Sequence, residues 1–577
     1  MALHARWLGR VDYDDALGLQ RALHAHTKQD YLLLLEHPHT YTMGVRADAA
    51  NILIDPHEVG AQLVRADRGG DVTYHGPGQL VGYPIVTLAD HEAGEMPSTR
   101  DHVLNLEHLL IDVLSDFGIG DASVIEGSPG VWIGAGTSRP RKIAAIGVRI
   151  SRGRSMHGFA LNVHPDPAMF SHIVPCGITD KGVTSMALEG VDATMREVVD
   201  AVCARAQQRW SALDRADVVW RQRHDDADLS PFSRGEGPGA AVRYSSSVRQ
   251  SDGTSLRLLG RLAEAGVEEQ VAITEPKPEW MRAPMKLDAG VLKLRSHLRE
   301  QRLVTVCEEA GCPNLSECWS DGTATFMVCG ERCTRACGFC LVDTRKPEAL
   351  DVDEPRRVAE AAAAMGLHFA VITMVARDDL PDGGAAHVAA TIRAIHERVP
   401  GAGVEALTSD FRGDDASLRL VFDARPEVFN HNIETVARMQ RAVRPSASYA
   451  RSLSVLGRGA AAGLTTKSGF VAGMGETFDE VVQTLRDLAA VGTSIVTIGQ
   501  YLRPTAHHLP VQRWWTPAEF AEWKRIGEEE FGISHVESSP LTRSSYHARD
   551  AAEASASGLA RSAGPGPVAV SIGSRHG

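Results

Sequence analysis

Val328–Cys340 reads VCGERCTRACGFC and follows the strand-like ATFMV of Ala324–Val328. Cys333, Cys337 and Cys340 have CxxxCxxC spacing. Three thiolates on a short loop can hold three irons of a [4Fe–4S] cube and leave the fourth iron open to an outside ligand. A structural zinc site normally takes four protein ligands, often as paired CxxC, so the asymmetric triplet favours iron. Its position matters as much as its spacing. It follows a strand and opens a series of strand–helix units, the place where barrel enzymes put their chemistry. Cys329 begins a CxxxCxxxC series that breaks the final gap, so it reads as a spare, packed as a small apolar residue at the strand end.

Downstream, FAVITMV precedes the helical AAHVAATIRAIHERV, GVEALTSD precedes DASLRLVFDA, and EVFNHNI precedes ETVARMQRAV. SGFVAGM then precedes TFDEVVQTLRDLAAVG, SIVTIGQYL precedes PAEFAEWKRIGEEEFG, and ISHVESS closes the series. Serial units of this kind predict a parallel sheet closed or partly closed into a barrel. Upstream, CEEAGCPNLSEC supplies a second triplet, Cys307, Cys312 and Cys318, whose five- and six-residue steps suit a loop wrapped round another cluster.

The chain has 577 residues, too many for one core, and a net charge of −13, which argues against holding nucleic acid by bulk basicity. The longest apolar run, Ala361–Ala376, contains Gly366 and His368 and falls short of the roughly 20 residues a membrane span needs. The N-terminus carries charges and no long apolar run, so it is no signal peptide, and the expected location is cytoplasmic. Nine cysteines in a large cytosolic chain point to metal or catalysis before disulfides.

Together, CTRACGFC and CEEAGCPNLSEC resemble lipoyl synthase, a radical S-adenosylmethionine (SAM) family. The resemblance runs from about Asp252 to Asp550 through ARDDLPDGGA, HNIETV, RPSASYARSL, GLTTKSG, GMGET and VTIGQYLRPTAHHLPVQRWW. It implies that Cys333, Cys337 and Cys340 hold the [4Fe–4S] cluster that binds SAM. It further implies that Cys307, Cys312 and Cys318 hold an auxiliary, sulfur-donating [4Fe–4S] cluster. The resemblance also implies that a serine of the C-terminal RSSY caps that auxiliary cluster, Ser544, with Ser545 the fallback. TSDF at Thr408–Phe411 and SSPL at Ser538–Leu541 depart from the family pattern, without removing a proposed iron ligand.

The first half alternates strand-like segments (YLLLLEHPHTYTMG, KIAAIGVRI) with amphipathic ones (HVLNLEHLLIDVLSDFG, MREVVDAVCARAQQRWSAL). RGGDVTYHGPGQLVGYP, RKIAAIGVRI, SMHGFALNV and HIVPCGITDKGVTS, in that order, resemble lipoyl(octanoyl)transferase, of the biotin/lipoate ligase fold, over about residues 5–210. The resemblance implies Cys176 and Lys142 as the catalytic pair. It implies a substrate tunnel lined by Arg68, Gly69, Gly70, Tyr74, His75, Gly76, Ala145, Ile146, Gly147, Gly158, Phe159 and Ala160. The chemistry is coherent: a thiolate takes the acyl group from a thioester, and a lysine desolvated beside it serves as general base and acid. No GRGRxG-like adenylate loop is present, which disfavours ATP-dependent ligation, and Cys203, in an amphipathic stretch, reads as core.

The expected organisation is an octanoyltransferase domain at 1–213, a flexible linker at 214–251, a radical SAM domain with a partial (β/α) barrel at 252–551 and a loose tail at 552–577. About 37 Ser-, Gly- and Pro-rich linker residues span on the order of 35 Å. The two resemblances are consecutive steps. Octanoyl moves from octanoyl-acyl carrier protein to a lysine of a lipoyl domain of a 2-oxoacid dehydrogenase or of the glycine cleavage H protein. Two sulfurs then enter at C6 and C8, with a ferredoxin- or flavodoxin-type reductant. Two other readings are a non-catalytic first half that only presents carrier domains and a structural zinc domain on a binding scaffold.

Overall fold

The computed structural model describes residues 2–88, 98–174, 182–210, 212–217, 256–267, 277–281, 323–545 and 548–552. Among the described residues of the first half are twelve strands: β1 (Leu3–Arg10), β2 (Asp30–Glu36), β3 (Thr40–Met43), β4 (Gln62–Arg65), β5 (Val72–His75), β6 (Gln79–Ile85), β7 (Ala122–Ile125), β8 (Ser128–Ile133), β9 (Arg141–Ser151), β10 (Arg154–Asn162), β11 (Gly182–Val183) and β12 (Leu213–Asp217). The main sheet runs β12-β1-β2-β6-β10-β9-β8-β7, with β11 beside β9, and β4-β3-β5 form a small second sheet. Side chains of β2 alternate between two cores. Leu32 and Leu34 meet α2 (Thr99–Asp116) and α3 (Met195–Trp210), and Leu33 and Leu35 share a core with α1 (Tyr13–His26). With both faces covered, DYLLLLE is apolar throughout instead of alternating. Residues 214–217, assigned to the linker by composition, belong to the edge strand β12, because parallel pairing with β1 satisfies their backbone groups.

In the second half β13 (Thr323–Val328), β14 (Phe369–Met374), β15 (Gly403–Leu407), β16 (Val428–Asn430), β17 (Thr465–Ala472), β18 (Ile495–Gln500) and β19 (His535–Ser538) form one all-parallel sheet in sequence order. Each crossing carries a helix: α4 (Glu354–Ala364), α5 (Ala385–Arg398), α6 (Asp415–Asp423), α7 (Tyr449–Ala461), α8 (Phe478–Ala490) and α9 (Pro517–Arg525). All strands therefore end at one rim, where the loops collect. Thr477 and Glu480 form a capping box that starts α8, and Thr516 and Glu519 start α9 in the same way.

One crossing departs from the expectation. ETVARMQRAV is not the crossover helix: Glu434 has φ +66°, and only Ala437–Met439 and Gln440–Val443 make short helical turns. The crossover is α7, in SYARSLSVLGRGAA, whose serines and glycines weaken the helical signal. Those small residues are needed because α1 of the first half lies against α7. A Cβ on Gly457 would stand 2.4 Å from Ala22 Cβ, and one on Gly18 would stand 2.3 Å from Ser454 Oγ. Among the described residues no helix is long and apolar enough to cross a membrane.

Candidate active sites

In the first half a cleft opens over β9 and β10, lined by Tyr13, Arg68, Gly69, Gly70, Asp71, Thr73, His75, Tyr83, Ala145, Ile146, Gly147, His157, Gly158, Phe159 and Ala160. Glycine is required where its walls are backbone: a Cβ on Gly158 would sit 2.2 Å from Gly82 O, and one on Gly82 2.1 Å from the Phe159 ring. The Arg68 guanidinium is spent on the wall, donating to Thr42 O and Oγ1, each at 2.7 Å. His75 Nδ1 pairs with Gln79 Oε1 at 2.9 Å, and burial holds its pKa well below the usual histidine value. Of the tunnel residues implied by resemblance, Tyr74 and Gly76 do not line this cleft. Tyr74 is fully buried beside Tyr41 and Phe170, with its hydroxyl 2.7 Å from His39 Nδ1.

Lys142 lies in β9 and is 8% exposed. Its Nζ donates to Pro129 O at 3.1 Å and stands 4.6 Å from the centre of the Trp132 ring. Cys176 lies outside the described residues, but both flanks of its loop are fixed. Val174 N donates to Asn51 O at 2.8 Å, and on re-entry Val183 pairs with Lys142 in β11 and Thr184 N donates to Lys142 O at 3.0 Å. The chain beyond the cysteine therefore resumes alongside the lysine.

Five residues of the cleft lining, Tyr13, Asp71, Thr73, Tyr83 and His157, are absent from the tunnel set implied by resemblance. His157, at φ +58° and 1% exposed, has Nε2 2.8 Å from Asp67 Oδ1, while its buried Nδ1 has no partner. Burial lowers its pKa against the opposing hydrogen bond of Asp67. Tyr83, raised well above the usual phenol value by burial, shares a 2.8 Å hydrogen bond with His37 Nε2. Tyr13, pushed up to about 12 by burial, comes from the first turn of α1. Tyr83 and His157 lie inside stretches that carry the resemblance, RGGDVTYHGPGQLVGYP and SMHGFALNV, whereas Tyr13 does not, and Asp67, the partner of His157, lies 90 residues away from it.

At the rim of the second sheet the loop after β13 presents Cys333, Cys337 and Cys340 as free, half-buried thiols, whereas Cys329 is 1% exposed. Burial raises all three rim thiols, Cys337 to about 11 and Cys340 to about 12. Among the described residues no three ligand-type side chains converge on a single-ion site. A cube, with one iron per thiolate, needs no such convergence. Cys329 turns inward at φ +69°, with its N–H donating to Glu354 Oε2 at 2.8 Å and its carbonyl accepting from Arg377 at 3.0 Å.

The loop is tied to its neighbours by groups that the spacing rule ignores. Arg335, between two of the cysteines, donates to both Asp378 oxygens at 2.8 Å and to Asp410 Oδ1 at 2.6 Å. Asp410, fully buried, is held well below the usual carboxylate range by Arg335 against the cost of burial. Its Oδ2 and the Oδ1 of Asn432 are buried without partners. Gly383 and Gly384, both left-handed at φ +62° and +89°, start α5 at the same rim. Free thiols and spare acceptors at one rim fit a cluster with a polar co-ligand. Ser544 and Ser545 lie half-buried in the loop after β19, also at this rim. Cys307, Cys312 and Cys318 lie outside the described residues, so the structure does not assemble the second set.

The lipoyl protein ligase A/B catalytic domain family matches residues 12–207, and the radical SAM superfamily matches residues 327–488. A relative named lipoyl synthase from Rubrobacter xylanophilus is 55% identical over 279 residues, covering 48% of this chain and 87% of its own. Another, from Mycolicibacterium paratuberculosis, is 52% identical over 293 residues, covering 51% and 93%. A solved bi-partite lipoate protein ligase from Thermoplasma acidophilum aligns over 38% of this chain and 87% of its own at 18% identity and a TM-score of 0.31. Radical SAM membership brings iron–sulfur and SAM chemistry to the second half. A catalytic domain of the lipoyl protein ligase type thus stands ahead of a radical SAM barrel, and through that barrel the chain belongs to the lipoyl synthase family.

Proposed function

We propose that the chain makes lipoyl groups in two steps. The first half moves octanoyl from octanoyl-acyl carrier protein to a lysine of a lipoyl domain. The second half inserts sulfur at C6 and C8 of the bound chain. The observation that supports the first step is that the chain beyond Cys176 pairs with β9 at Lys142, through Val183. The Cys176 thiolate attacks the thioester carbonyl and the carrier's phosphopantetheine thiol departs, taking a proton from Lys142. The amine of the target lysine then attacks the acyl-cysteine, Lys142 accepts the proton, and the cysteine leaves as thiolate. The amide is more stable than the thioester, so the second exchange runs forward.

In the second half Cys333, Cys337 and Cys340 would hold the cluster that binds SAM, and Cys307, Cys312, Cys318 and Ser544 would hold the auxiliary one. Bound clusters and SAM would supply hydrogen-atom abstraction from unactivated C–H bonds and the sulfur itself. The chain's own part is to hold the cysteine loop against Asp378 and Asp410 through Arg335, and to offer polar acceptors beside it. Lipoyl domains, an acyl carrier protein and a ferredoxin- or flavodoxin-type reductant are the partners this reading requires.

The test incubates anaerobically reconstituted protein with octanoyl-acyl carrier protein, SAM, reductant and an apo lipoyl domain, and follows the domain by mass spectrometry. Octanoylation followed by a two-sulfur gain is expected. Cys176→Ser should abolish octanoylation while a pre-octanoylated domain still gains sulfur. Unchanged octanoylation in that variant would sink the first assignment. Absence of sulfur gain in a protein with full iron and sulfide would sink the second.

A further inference from the structure

The two halves meet through more than a covalent tether. Asp15, 3% exposed in the first turn of α1, accepts from Arg451 Nε at 2.7 Å, and Asp12 also binds Arg451. Arg458 donates to Asp14 O at 2.8 Å and to Gly413 O at 2.6 Å. At the far edge Arg6, 3% exposed, binds Asp487 at 3.3 Å, and Arg486 binds Asp214 at 2.8 Å. Acidic groups of α1 thus face arginines of α7, and Ala16, Leu19, Ala22 and Leu23 share one core with Tyr449, Leu453 and Leu456. The closest approach occurs where both helices have small residues, Gly18 and Ala22 against Ser454 and Gly457. A pair of buried opposite charges set in a shape-matched apolar seam is a feature of specific interfaces.

The contact also has a direction. It climbs from Asp12–Arg451 near both N-termini to Ala22–Gly457 farther along, so α1 and α7 run in the same sense. The first turn of α1 contributes Tyr13 to the first cleft, and α7 begins just after the rim loop that follows β16. Beside them Phe411, Arg412 and Gly413 are left-handed in succession at φ +45°, +57° and +77°. Non-glycine residues hold such a backbone only where surrounding contacts over-determine it. Here the contacts come from both sides: Asp410 fixes the turn and reaches Arg335 of the cysteine loop, while Asp15 and Arg458 close on Gly413.

We infer that α1 and α7 form a built docking surface between the two halves, which holds them together without the linker and sets both site openings on one side of the molecule. The occupant of each surface is the other half of this chain. The functional part of this inference, shared openings for one carrier domain, rests on the proposed two-step reaction; the docking itself does not.

The test inserts a specific protease site between Asp225 and Gly239 of the full chain, cleaves it, and measures association by size exclusion and analytical ultracentrifugation without substrate. The cleaved halves should remain one species at micromolar concentration. Gly18→Leu should raise the dissociation constant at least tenfold. So should D12K with D15K, or R451E with R458E, while combining both charge reversals should restore association towards wild type. Melting of the unassociated halves at wild-type temperatures shows that each still folds. Separation of the wild-type halves on cleavage, or undiminished association of the Gly18→Leu and single-sided variants, would overturn the inference. Loss of octanoylation or sulfur gain with association intact would count against the proposed function alone.

Discussion

Four cysteines within thirteen residues look alike as letters, and their backbones separate them. Cys329 lies below the rim with its amide and carbonyl engaged, while Cys333, Cys337 and Cys340 are half-exposed above it. Cys329→Ala should therefore leave the iron and sulfide content of the reconstituted protein unchanged; a loss of iron would remove the distinction. Arg335 is the residue on which the loop turns. Its side chain is 7% exposed and Asp410 is wholly buried, so Arg335→Met strands an uncompensated carboxylate. Breaking a buried pair from one side costs about 3–5 kcal/mol. The unfolding transition of the second half should fall accordingly, and adding Asp410→Asn should recover part of it. Full stability in Arg335→Met alone would show that the Asp410 carboxylate is compensated otherwise. No spacing rule points to Arg335 or Asp410, because their link crosses 75 residues.

Among the elements, α7 and β12 were the hardest to read, for a shared reason. Each is shaped by a segment far away in the chain. The glycines and serines of α7 are poor helix formers in isolation and good ones against α1, where larger side chains would clash. β12 sits in a charged segment that looks like linker, and its pairing with β1 supplies what propensity does not. Asp214, on that strand, is held down to about 2, first by the hydrogen bond from His4 at 2.8 Å and further by Arg6 and Arg486. A carboxylate depressed in the folded state stabilises above its unfolded pKa of roughly 4. That contribution disappears as pH falls through about 2. The stability difference between wild type and Asp214→Asn, measured by denaturant unfolding, should be present at pH 6 and shrink between pH 4 and 2. A difference that persisted at pH 2 would contradict the depressed carboxylate.

For the whole molecule, a tether alone would raise the effective concentration of one site near the other and leave their orientation open. Docked halves fix the orientation as well. If one carrier domain serves both sites in turn, a pre-bound octanoylated domain should gain sulfur with little dilution by excess free octanoylated domain. Full dilution of the labelled domain in that chase would remove sharing while leaving the two activities. The sequence by itself pointed to the two families, because the thiol spacing and the glycine-rich stretches that carry the resemblances are local patterns. It equally determined the serial strand–helix build of the second half, since hydrophobic periodicity is local too. Tertiary structure alone decided which charges meet. The Arg335–Asp410 tie, the His157–Asp67 pair, and the α1–α7 seam join residues from about 75 to more than 400 positions apart, and only the folded chain brings them within hydrogen-bonding distance.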